Sequence, residues 1–505
     1  MNCPVSERKK KCLLGTLCFG IAMIFLAICS KSSFLYPIND WEDANIFFTA
    51  GKSIVHGKVL YRDVYDHKGP LLYFLHSLAY LISNDTFLGV YWIEVAAFAA
   101  YLLAAYKTLR LFVKENIWQM LPLLALLILT SQSFCHGDSA EELCLPLVAW
   151  SLYASLNYFK NIYPKDMEYK ELFLHGILAG CIMLIKFTLL GFHFGWMLMI
   201  LISCVLKKDW KRGILSGLVF VGGMLVTTIP FFVYFGLNQA LDSWFTGYIY
   251  NNIFLYSNAN QKSIVNMLKG MLVVLIDAFT FNLSFSVFVI LGVTWMTLKK
   301  QGIRTVEKCN IWMLCVCTSM GITWGVSYLY PYYPLILSVF ACLGFIPFLK
   351  WIESKQKKIS RVSFVVLIIF CLWGAYKWGN YTDEIGKNRE DVVQYQFAEI
   401  IQERENPSLL SFGCMDGGFY TVTNIVPECK YFTKTNLPGN DWIDMQITFL
   451  TYGWVDYVVT QDYPLSDEYV LYELVATGTN RYERLDHTYY LYRNLSDEDK
   501  IPWQD

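Results

Sequence analysis

The sequence predicts an all-α polytopic membrane domain over residues 1–380, followed by a small soluble α/β domain over residues 381–505. The chain is 55% hydrophobic and only 16% charged, whereas soluble globular proteins are about 25% charged. Apolar runs recur along residues 12–379, and each approaches the roughly 20 residues that a membrane-spanning helix needs. Residues 380–505 differ, with 22 acidic against 9 basic side chains. This composition favours a membrane protein with a water-facing C-terminal domain and indicates no nucleic-acid partner.

About eleven apolar windows account for the predicted membrane spans. The first follows a basic segment, and we interpret it as an uncleaved span because the apolar run is long for a signal peptide and lacks a clear cleavage site. Basic residues recur in alternate loops, which predicts a multi-pass protein of the cytoplasmic membrane with its N-terminus inside and its C-terminal domain outside. The windows are 12–30, 87–109, 117–134, 141–159, 172–186, 188–206, 213–236, 280–298, 309–329, 333–350 and 362–379.

The first outer loop, residues 31–86, is predicted to contain two helices that lie on the membrane surface. Over residues 41–56, a helical period separates an apolar face from a polar one. Asp40 is the predicted N-cap, Gly57 the predicted stop, and a second helix is expected at 70–83 from Pro70. The apolar face carries Ile46, Phe47, Ala50 and Ile54, and the polar face carries Asn45, Thr49, Lys52 and Ser53.

Two acids begin the first of these helices. The helical wheel places Asp43 in line with Phe47 and directs Glu42 to the polar face. Near a membrane surface, Asp43 is suited to act as a general base that takes a proton from an incoming hydroxyl. The helix dipole offers a simpler explanation, because it favours acids in a first turn without any chemistry. The dipole explains Glu42 well and leaves the position of Asp43 on the apolar face unexplained.

Three cationic side chains, Arg62, His67 and Lys68, precede the predicted helix start at Pro70. Cations beside the free N–H groups of a helix start suit an anionic phosphate. The alternative for Lys68 is an interfacial lysine that reaches the lipid headgroups. Lys186 closes a short predicted span on the outer side, where an ionisable group needs a partner. Anion binding and contact with headgroups both remain open for Lys186.

A second outer loop carries His136 and the acids Asp138, Glu141 and Glu142. The simpler interpretation is helix capping by Asp138 or Ser139, with the two glutamates in the first turn. The alternative is a contact to an acceptor or to a divalent metal, although no ligand spacing here is diagnostic. The residues identify no cofactor and do not decide whether a divalent metal assists.

Three further segments complete the prediction. The aromatic and asparagine-rich segment 237–265 is expected to be a long outer loop, and Tyr328–Pro334 forms either an aromatic belt or the wall of a lipid groove. The C-terminal domain is predicted to have a helix at about 389–404 and strands at 409–413, 455–460 and 488–492. Pairing of Cys414 with Cys429 is left open, because sequence gives no geometry.

The first outer loop carries the pattern Asp43-x-x-x-Phe47, Gly51, Gly57-Lys-Val-Leu-Tyr61-Arg-Asp63 and Asp66-His67-Lys68-Gly69-Pro70-Leu71. This pattern resembles the GT-C membrane glycosyltransferases, specifically bacterial relatives of protein O-mannosyltransferases and aminoarabinose transferases. The layout agrees over residues 12–380. The resemblance implies that Asp43 is the base and that Lys68 binds the phosphate of a lipid carrier. The family often has Asp-Glu where this chain has Glu42-Asp43, so the resemblance keeps Glu42 as a second candidate.

The resemblance implies transfer of a sugar from a polyprenyl-phosphate donor to an extracytoplasmic hydroxyl of a glycan, lipid or protein of the cell envelope, with inversion. Lys68, Arg62, His67 and Lys186 would neutralise the donor phosphate at the membrane lipid surface. The alternative from another class is a polytopic transporter or flippase of lipid-linked or small substrates. Transporters usually place ionisable sites at mid-bilayer and show internal symmetry, whereas this chain concentrates charge in its outer loops. The sequence does not define the sugar or the acceptor.

Overall fold

The computed structural model describes residues 4–256, 264–299, 302–323, 330–482 and 485–496. The chain divides into two compact units. The helical unit comprises Met1–Ser30, Ile93–Phe231 and Lys262–Asp383, and the mixed unit comprises Lys31–Trp92, Phe232–Gln261 and Glu384–Asp505. Compactness does not test which segments fold alone, so the division of the chain at 380/381 stays a prediction.

The α-helices follow one another along most of the chain up to Trp378. They are α1 Pro4–Cys29, α2 Glu42–Val55, α3 Pro70–Ile82, α4 Leu88–Arg110, α5 Leu121–Leu129, α6 Ala140–Asn157, α7 Tyr169–Lys186, α8 Gly191–Leu206, α9 Trp210–Leu237, α10 Leu241–Trp244, α11 Ile264–Phe281, α12 Leu283–Leu298, α13 Thr305–Thr323, α14 Phe345–Ser354 and α15 Arg361–Trp378, with α16 Val393–Ile401, α17 Phe419–Thr423 and α18 Asp441–Thr451 further on. A long 3₁₀ helix, Tyr333–Gly344, precedes α14.

Within the helical unit, α12 packs against the 3₁₀ helix Tyr333–Gly344, α8 packs against α13, and α1 packs against α5 and α15. Among the described residues, six helical segments are long and apolar enough to cross a membrane, or up to seven if the bent pair Met271–Phe281 and Leu283–Leu298 forms one span. These apolar helices build a polytopic membrane domain, as the sequence predicts.

This count is lower than the eleven predicted windows, and the structure gives physical reasons for the difference. The windows 172–186 and 188–206 lie in one helical run, Tyr169–Leu206, broken by a 3₁₀ turn at Phe187–Leu190. The window 117–134 contains the nine-residue α5 between 3₁₀ turns. The window at 141–159 begins with two glutamates, and 309–329 extends into residues 324–329, outside the described residues.

In the mixed unit, α2 and α3 pack closely against each other. A Cβ at Gly51 would lie 2.7 Å from the backbone of His76 and Ser77, so only glycine permits this approach. Ser77 Oγ donates a hydrogen bond of 2.9 Å to the Gly51 carbonyl, and the Phe47 ring contacts the Tyr73 ring edge-on with centroids 6.1 Å apart. The apolar face of α2 therefore packs against α3.

The polar face of α2 is buried as well. Thr49 Oγ1 donates to Asp416 Oδ2 at 3.0 Å, and Lys52 Nζ donates to the Tyr420 carbonyl at 2.6 Å. Thr421 Oγ1 donates to Asn45 Oδ1 at 2.8 Å. The helix lies where predicted, and the structure adds that its polar face is covered by protein. That face consists mainly of short polar side chains, which segment 416–421 can satisfy by hydrogen bonds.

The ends of α2 also differ from prediction in one respect. The N-cap residue is Trp41, without a side-chain cap, because Asp40 instead accepts a hydrogen bond of 2.5 Å from Lys31 Nζ. The helix stops one residue before His56, and the following Gly57 has a φ of +86°, as expected for a glycine stop. The second helix begins at Pro70 with Gly69 as its N-cap, as the sequence predicts.

The C-terminal part of the mixed unit holds a four-stranded sheet of β1 Leu409–Ser411, β2 Tyr457–Gln461, β3 Tyr472–Tyr482 and β4 Leu485–Asn494. The order is β1-β2-β4-β3, with β1 parallel to β2 and the other pairs antiparallel. Leu410 and Val458 pack with Phe449 and Leu450 of α18 in the core. The small α/β domain is confirmed, although β3, with its many polar residues, was not predicted.

Two other expectations are settled by the described residues. Segment 237–265 was predicted as a loop, but α10 and a π-helix, Phe245–Tyr256, occupy its described part. Cys414 and Cys429 are both buried and carry free thiols. Within the tyrosine-rich segment, Tyr328 and Leu329 lie outside the described residues.

The contact between α2 and Asp416 predicts a measurable loss of stability. Thr49→Val keeps the side-chain shape but removes the hydroxyl that bonds the buried Asp416 carboxylate. An unsatisfied buried polar group costs about 1–3 kcal/mol, so we expect a lower midpoint of thermal unfolding, measured by tryptophan fluorescence on the full chain in detergent. The matched control is Ser53→Ala, because Ser53 Oγ donates within its own helix, to the Thr49 carbonyl. Equal midpoints for the two variants would contradict the role of Asp416.

Candidate functional site

The structure brings Asp43 and Lys68 together at the start of α2. Lys68 Nζ lies 3.5 Å from Asp43 Oδ2, and the side chains are 9% and 17% exposed. The same ammonium lies 5.3 Å from the centroid of the Phe47 ring. Asp43 and Phe47 therefore share one face of α2, and Lys68 contacts both. The result is a carboxylate and an ammonium at adjacent positions with limited access to solvent.

The loop before α3 is held by phenol groups. Tyr61 has a φ of +67°, and its hydroxyl donates to the Lys68 carbonyl at 2.6 Å. The Lys68 N–H donates to the Tyr73 hydroxyl at 3.0 Å, which in turn donates to Asp66 Oδ2 at 2.5 Å. Asn252 of the π-helix donates to the His67 carbonyl at 2.6 Å. These bonds fix the backbone of Lys68 on both sides of its side chain.

Asp66 is the most strongly perturbed acid in this loop. Burial by itself would raise the pKa of the Asp66 carboxyl, but the charge and hydrogen bond of His67, the charge of Lys68 and the Tyr73 hydroxyl together hold that pKa well below its usual range. The His67 Nδ1 lies 3.0 Å from Asp66 Oδ1. His67 therefore contacts a carboxylate, and Asp66 remains ionised at neutral pH.

Two of the predicted site residues, Arg62 and Glu42, have their partners away from the pair of Asp43 and Lys68. Arg62 pairs with Asp63, with Nε to Oδ1 at 2.7 Å, and donates to the Asn238 carbonyl at 2.8 Å. Burial, followed by the charge of Glu42, raises the pKa values of Cys414 and Tyr489. The helical wheel separated Glu42 from Asp43 in this same sense.

In the helical unit, Lys186 ends α7 and meets an acid and two aromatic rings. Its Nζ donates to Glu141 Oε1 at 2.6 Å. It also lies 3.7 Å from the centroid of the Tyr333 ring and 5.2 Å from that of Tyr332. The partner that an ionisable group at a span end requires is therefore Glu141. Cation–π contact with the two tyrosines adds to that pairing.

The other acids of this loop bond to one another and to the backbone. The Asp138 N–H donates to Glu94 Oε1 and to Glu142 Oε2, both at 2.9 Å. Ser30 Oγ donates to both oxygens of Glu94 at 2.9 Å. Gly137 has a φ of +87°, and a Cβ there would lie 2.4 Å from Ser30 Oγ. Ser139 is the N-cap of α6 and accepts from the Glu142 N–H, so the capping interpretation is confirmed for Ser139.

No group of three or more His, Cys, Asp or Glu in the described part of the chain has the geometry to hold a metal ion. The acids Glu94, Asp138 and Glu142 are close to one another, and Glu94 and Glu142 bond each other as well as the Asp138 N–H, with Ser30 donating to Glu94. The divalent metal that the sequence left open therefore gains no ligand set from these residues.

Sequence reasoning did not single out Glu94, Asp66, Tyr61, Tyr73 or Asn252. Glu94 had a signal that was overlooked, since a lone carboxylate inside a predicted span is expensive and needs partners. Tyr61 belongs to the sequence pattern of the first outer loop, but that pattern assigns no role to Tyr61 or Tyr73. Their hydroxyl partners are set by the packing of α2 against α3 and carry no pattern in the sequence.

The fold is similar to that of two solved structures of ArnT from Cupriavidus metallidurans. The form bound to undecaprenyl phosphate aligns with a TM-score of 0.58 at 12% identity and covers 97% of this chain and 98% of that chain. The apo form aligns with a TM-score of 0.55 at 13% identity and covers 96% and 98%. ArnT is a GT-C membrane glycosyltransferase, and the chain shares the GT-C fold. No curated protein sequence matches the chain.

A family model provides the remaining comparison. Residues 6–370 match the model described as "Putative competence-induced protein Ccs4 N-terminal domain". This match spans well over half of the chain and most of its predicted membrane domain. The protein therefore belongs to this Ccs4 N-terminal domain family.

Proposed function

We propose that the protein is a membrane glycosyltransferase that moves a sugar from a polyprenyl-phosphate donor to an extracytoplasmic hydroxyl acceptor of the cell envelope. The observation that carries this proposal is the pairing of Asp43 with Lys68 at 3.5 Å in a partly open site. One group can accept a proton and its neighbour can hold a phosphate. The fold shared with an ArnT that binds undecaprenyl phosphate supports a donor of this class.

In the proposed reaction, Asp43 takes the proton of the acceptor hydroxyl as its oxygen attacks the anomeric carbon. The bond between that carbon and the phosphate oxygen breaks, and the electron pair leaves with the polyprenyl phosphate. The Lys68 ammonium stabilises the charge that develops on the phosphate. Attack on the face opposite to the leaving phosphate inverts the anomeric configuration.

Other residues have supporting roles in this proposal. His67, Lys186 and Arg62 are further candidates to contact the anionic donor. Each is paired with an acid, which is Asp66, Glu141 and Asp63 in turn. Glu42 is the alternative base. The proposed topology has the N-terminus in the cytoplasm and Asp43 on the outer side, where a lipid-linked donor and an envelope acceptor meet.

Asp43→Asn tests the base. We expect kcat for sugar transfer to fall by at least about 100-fold, the lower end of what a general base contributes. The assay follows release of undecaprenyl phosphate from a panel of undecaprenyl-phosphate-linked sugars, with the full chain in lipid nanodiscs and envelope extract as the acceptor source. Undecaprenyl phosphate binding should not weaken, because the substitution removes a negative charge beside Lys68.

Glu42→Gln is the matched comparison for Asp43→Asn. A large loss with Glu42→Gln and full activity with Asp43→Asn would exchange the roles of the two acids. If the wild-type protein consumes no member of the donor panel, the transferase proposal itself fails and the transporter class becomes the better explanation.

Lys68→Gln tests the phosphate site. A hydrogen bond to a charged group contributes about 1.5–3 kcal/mol, so the Kd of undecaprenyl phosphate should rise about 10- to 100-fold. Binding is measured by native mass spectrometry of the detergent-solubilised chain. Lys434→Gln is the control, because Lys434 is an exposed cation of the same unit. Equal Kd values for the two variants would remove Lys68 from the phosphate site.

Asp66→Asn tests the network that holds the Lys68 loop. Because the folded-state pKa of Asp66 lies below its unfolded value of about 3.9, the ionised carboxylate stabilises the fold above that pH, and this stability is lost as pH falls through the lower folded pKa. The variant should unfold more easily by about 1–3 kcal/mol at pH 6 to 8. The difference from wild type should shrink below about pH 4. A difference that grows as pH falls toward 4 would contradict the assignment.

A further inference from the structure

The mixed unit contains a polar cavity that does not include Asp43 or Lys68. Its volume is about 420 Å³, within the roughly 300–1,000 Å³ typical of small-molecule sites. Three segments form it: 31–39 before α2, 85–88 at the start of α4, and four residues between Gly386 and Tyr395. Segment 31–39 leads directly into the helix that carries Asp43.

The charges around this cavity are balanced. Lys31 Nζ lies 2.5 Å from Asp40 Oδ1 and 2.8 Å from Glu384 Oε2, and Lys387 Nζ lies 4.0 Å from the same Glu384 oxygen. The charged lining residues are Lys31, Lys387, Arg389 and Asp85, and the two lysines are paired with Asp40 and Glu384, which lie outside the lining. A strongly anionic or cationic ligand would find no net attraction here.

The walls combine aromatic rings with neutral hydrogen-bonding groups. The Phe34 ring lines the cavity and is 66% exposed. The Arg389 guanidinium carbon lies 5.2 Å from the centroid of the Tyr395 ring. Ser32, Ser33 and Asn39 also line the cavity, and these buried side chains bond within the protein, with Asn39 Nδ2 donating to Ser32 Oγ at 3.2 Å. An uncharged saccharide matches this combination, because a sugar ring has an apolar C–H face for aromatic contact and hydroxyl groups for hydrogen bonds.

We propose that this cavity binds the carbohydrate part of the acceptor, an uncharged oligosaccharide of hexose or N-acetylhexosamine units. The role of this saccharide as the acceptor rests on the proposed transfer reaction, whereas binding of a saccharide by the cavity does not. Asn39 in the cavity wall precedes Asp43 by four residues, so their Cα atoms are at most about 14 Å apart. A short oligosaccharide held in the cavity can therefore extend a hydroxyl toward Asp43.

The test measures saccharide binding without any donor. Disaccharides of hexose and N-acetylhexosamine, fluorescently labelled at the reducing end, are titrated onto the full chain in nanodiscs. We expect saturable binding that weakens about tenfold in Phe34→Ala and in Arg389→Ala, through loss of ring contact and of the guanidinium. Both residues are exposed, so folding should be unaffected. Arg481→Ala, an exposed arginine elsewhere in the mixed unit, should bind as the wild type does.

The possible outcomes distinguish failure of the saccharide-binding proposal from failure of the transfer proposal. Absence of saturable binding, or equal affinity in Arg389→Ala and Arg481→Ala, overturns the inference. Tenfold tighter binding of a uronic-acid disaccharide overturns its assignment to an uncharged glycan. Saccharide binding that survives Lys68→Gln while wild type transfers no sugar leaves the cavity standing and removes the proposed reaction. Transfer in which Phe34→Ala leaves the acceptor KM unchanged supports the reaction and removes the cavity.

Discussion

The mixed unit depends on the burial of the central part of helix α2. Ten consecutive residues, Ala44 to Ser53, are buried, so both faces of the helix must be satisfied by protein. The apolar face has α3, and the polar face has segment 416–421. Buried polar groups without partners are costly, and this cost fixes how the C-terminal segment meets the helix. Because Asp43 lies in the first turn, the same contacts fix its position.

Lys52 shows how tightly this arrangement is constrained. Burial lowers the pKa of its ammonium, which Asp416 opposes, and burial raises the pKa of Asp416. The ammonium bonds the Tyr420 carbonyl at 2.6 Å. A lysine held in this way offers no charge to a substrate. Of Lys52 and Lys68, Lys68 is therefore the one that can meet a phosphate.

The carboxylates of the two units have different contacts. In the helical unit, Glu94 and Glu142 accept from the Asp138 amide and Glu141 pairs with Lys186, so these carboxylates stabilise the start of α6 and its loop. In the mixed unit, Asp66 accepts a hydrogen bond from Tyr73, which in turn bonds the Lys68 N–H. The Asp43 side chain is 17% exposed and lies 3.5 Å from Lys68 Nζ. A loop fixed by hydrogen bonds that holds an ammonium beside a carboxylate suits chemistry that needs preorganised charge.

The amino-acid sequence by itself determined the features that depend on local pattern. Apolar runs gave the membrane helices, the helical wheel separated Asp43 from Glu42, and Gly69-Pro70 marked the start of α3, because hydrophobicity and backbone restriction act over a few neighbouring residues. Tertiary structure alone decided which polar groups meet. The bond from Thr49 to Asp416 joins residues 367 positions apart, and that from Tyr73 to Asp66 depends on how α3 packs. Such partners are chosen by the cost of burying polar groups in a packed interior, which sequence periodicity does not record.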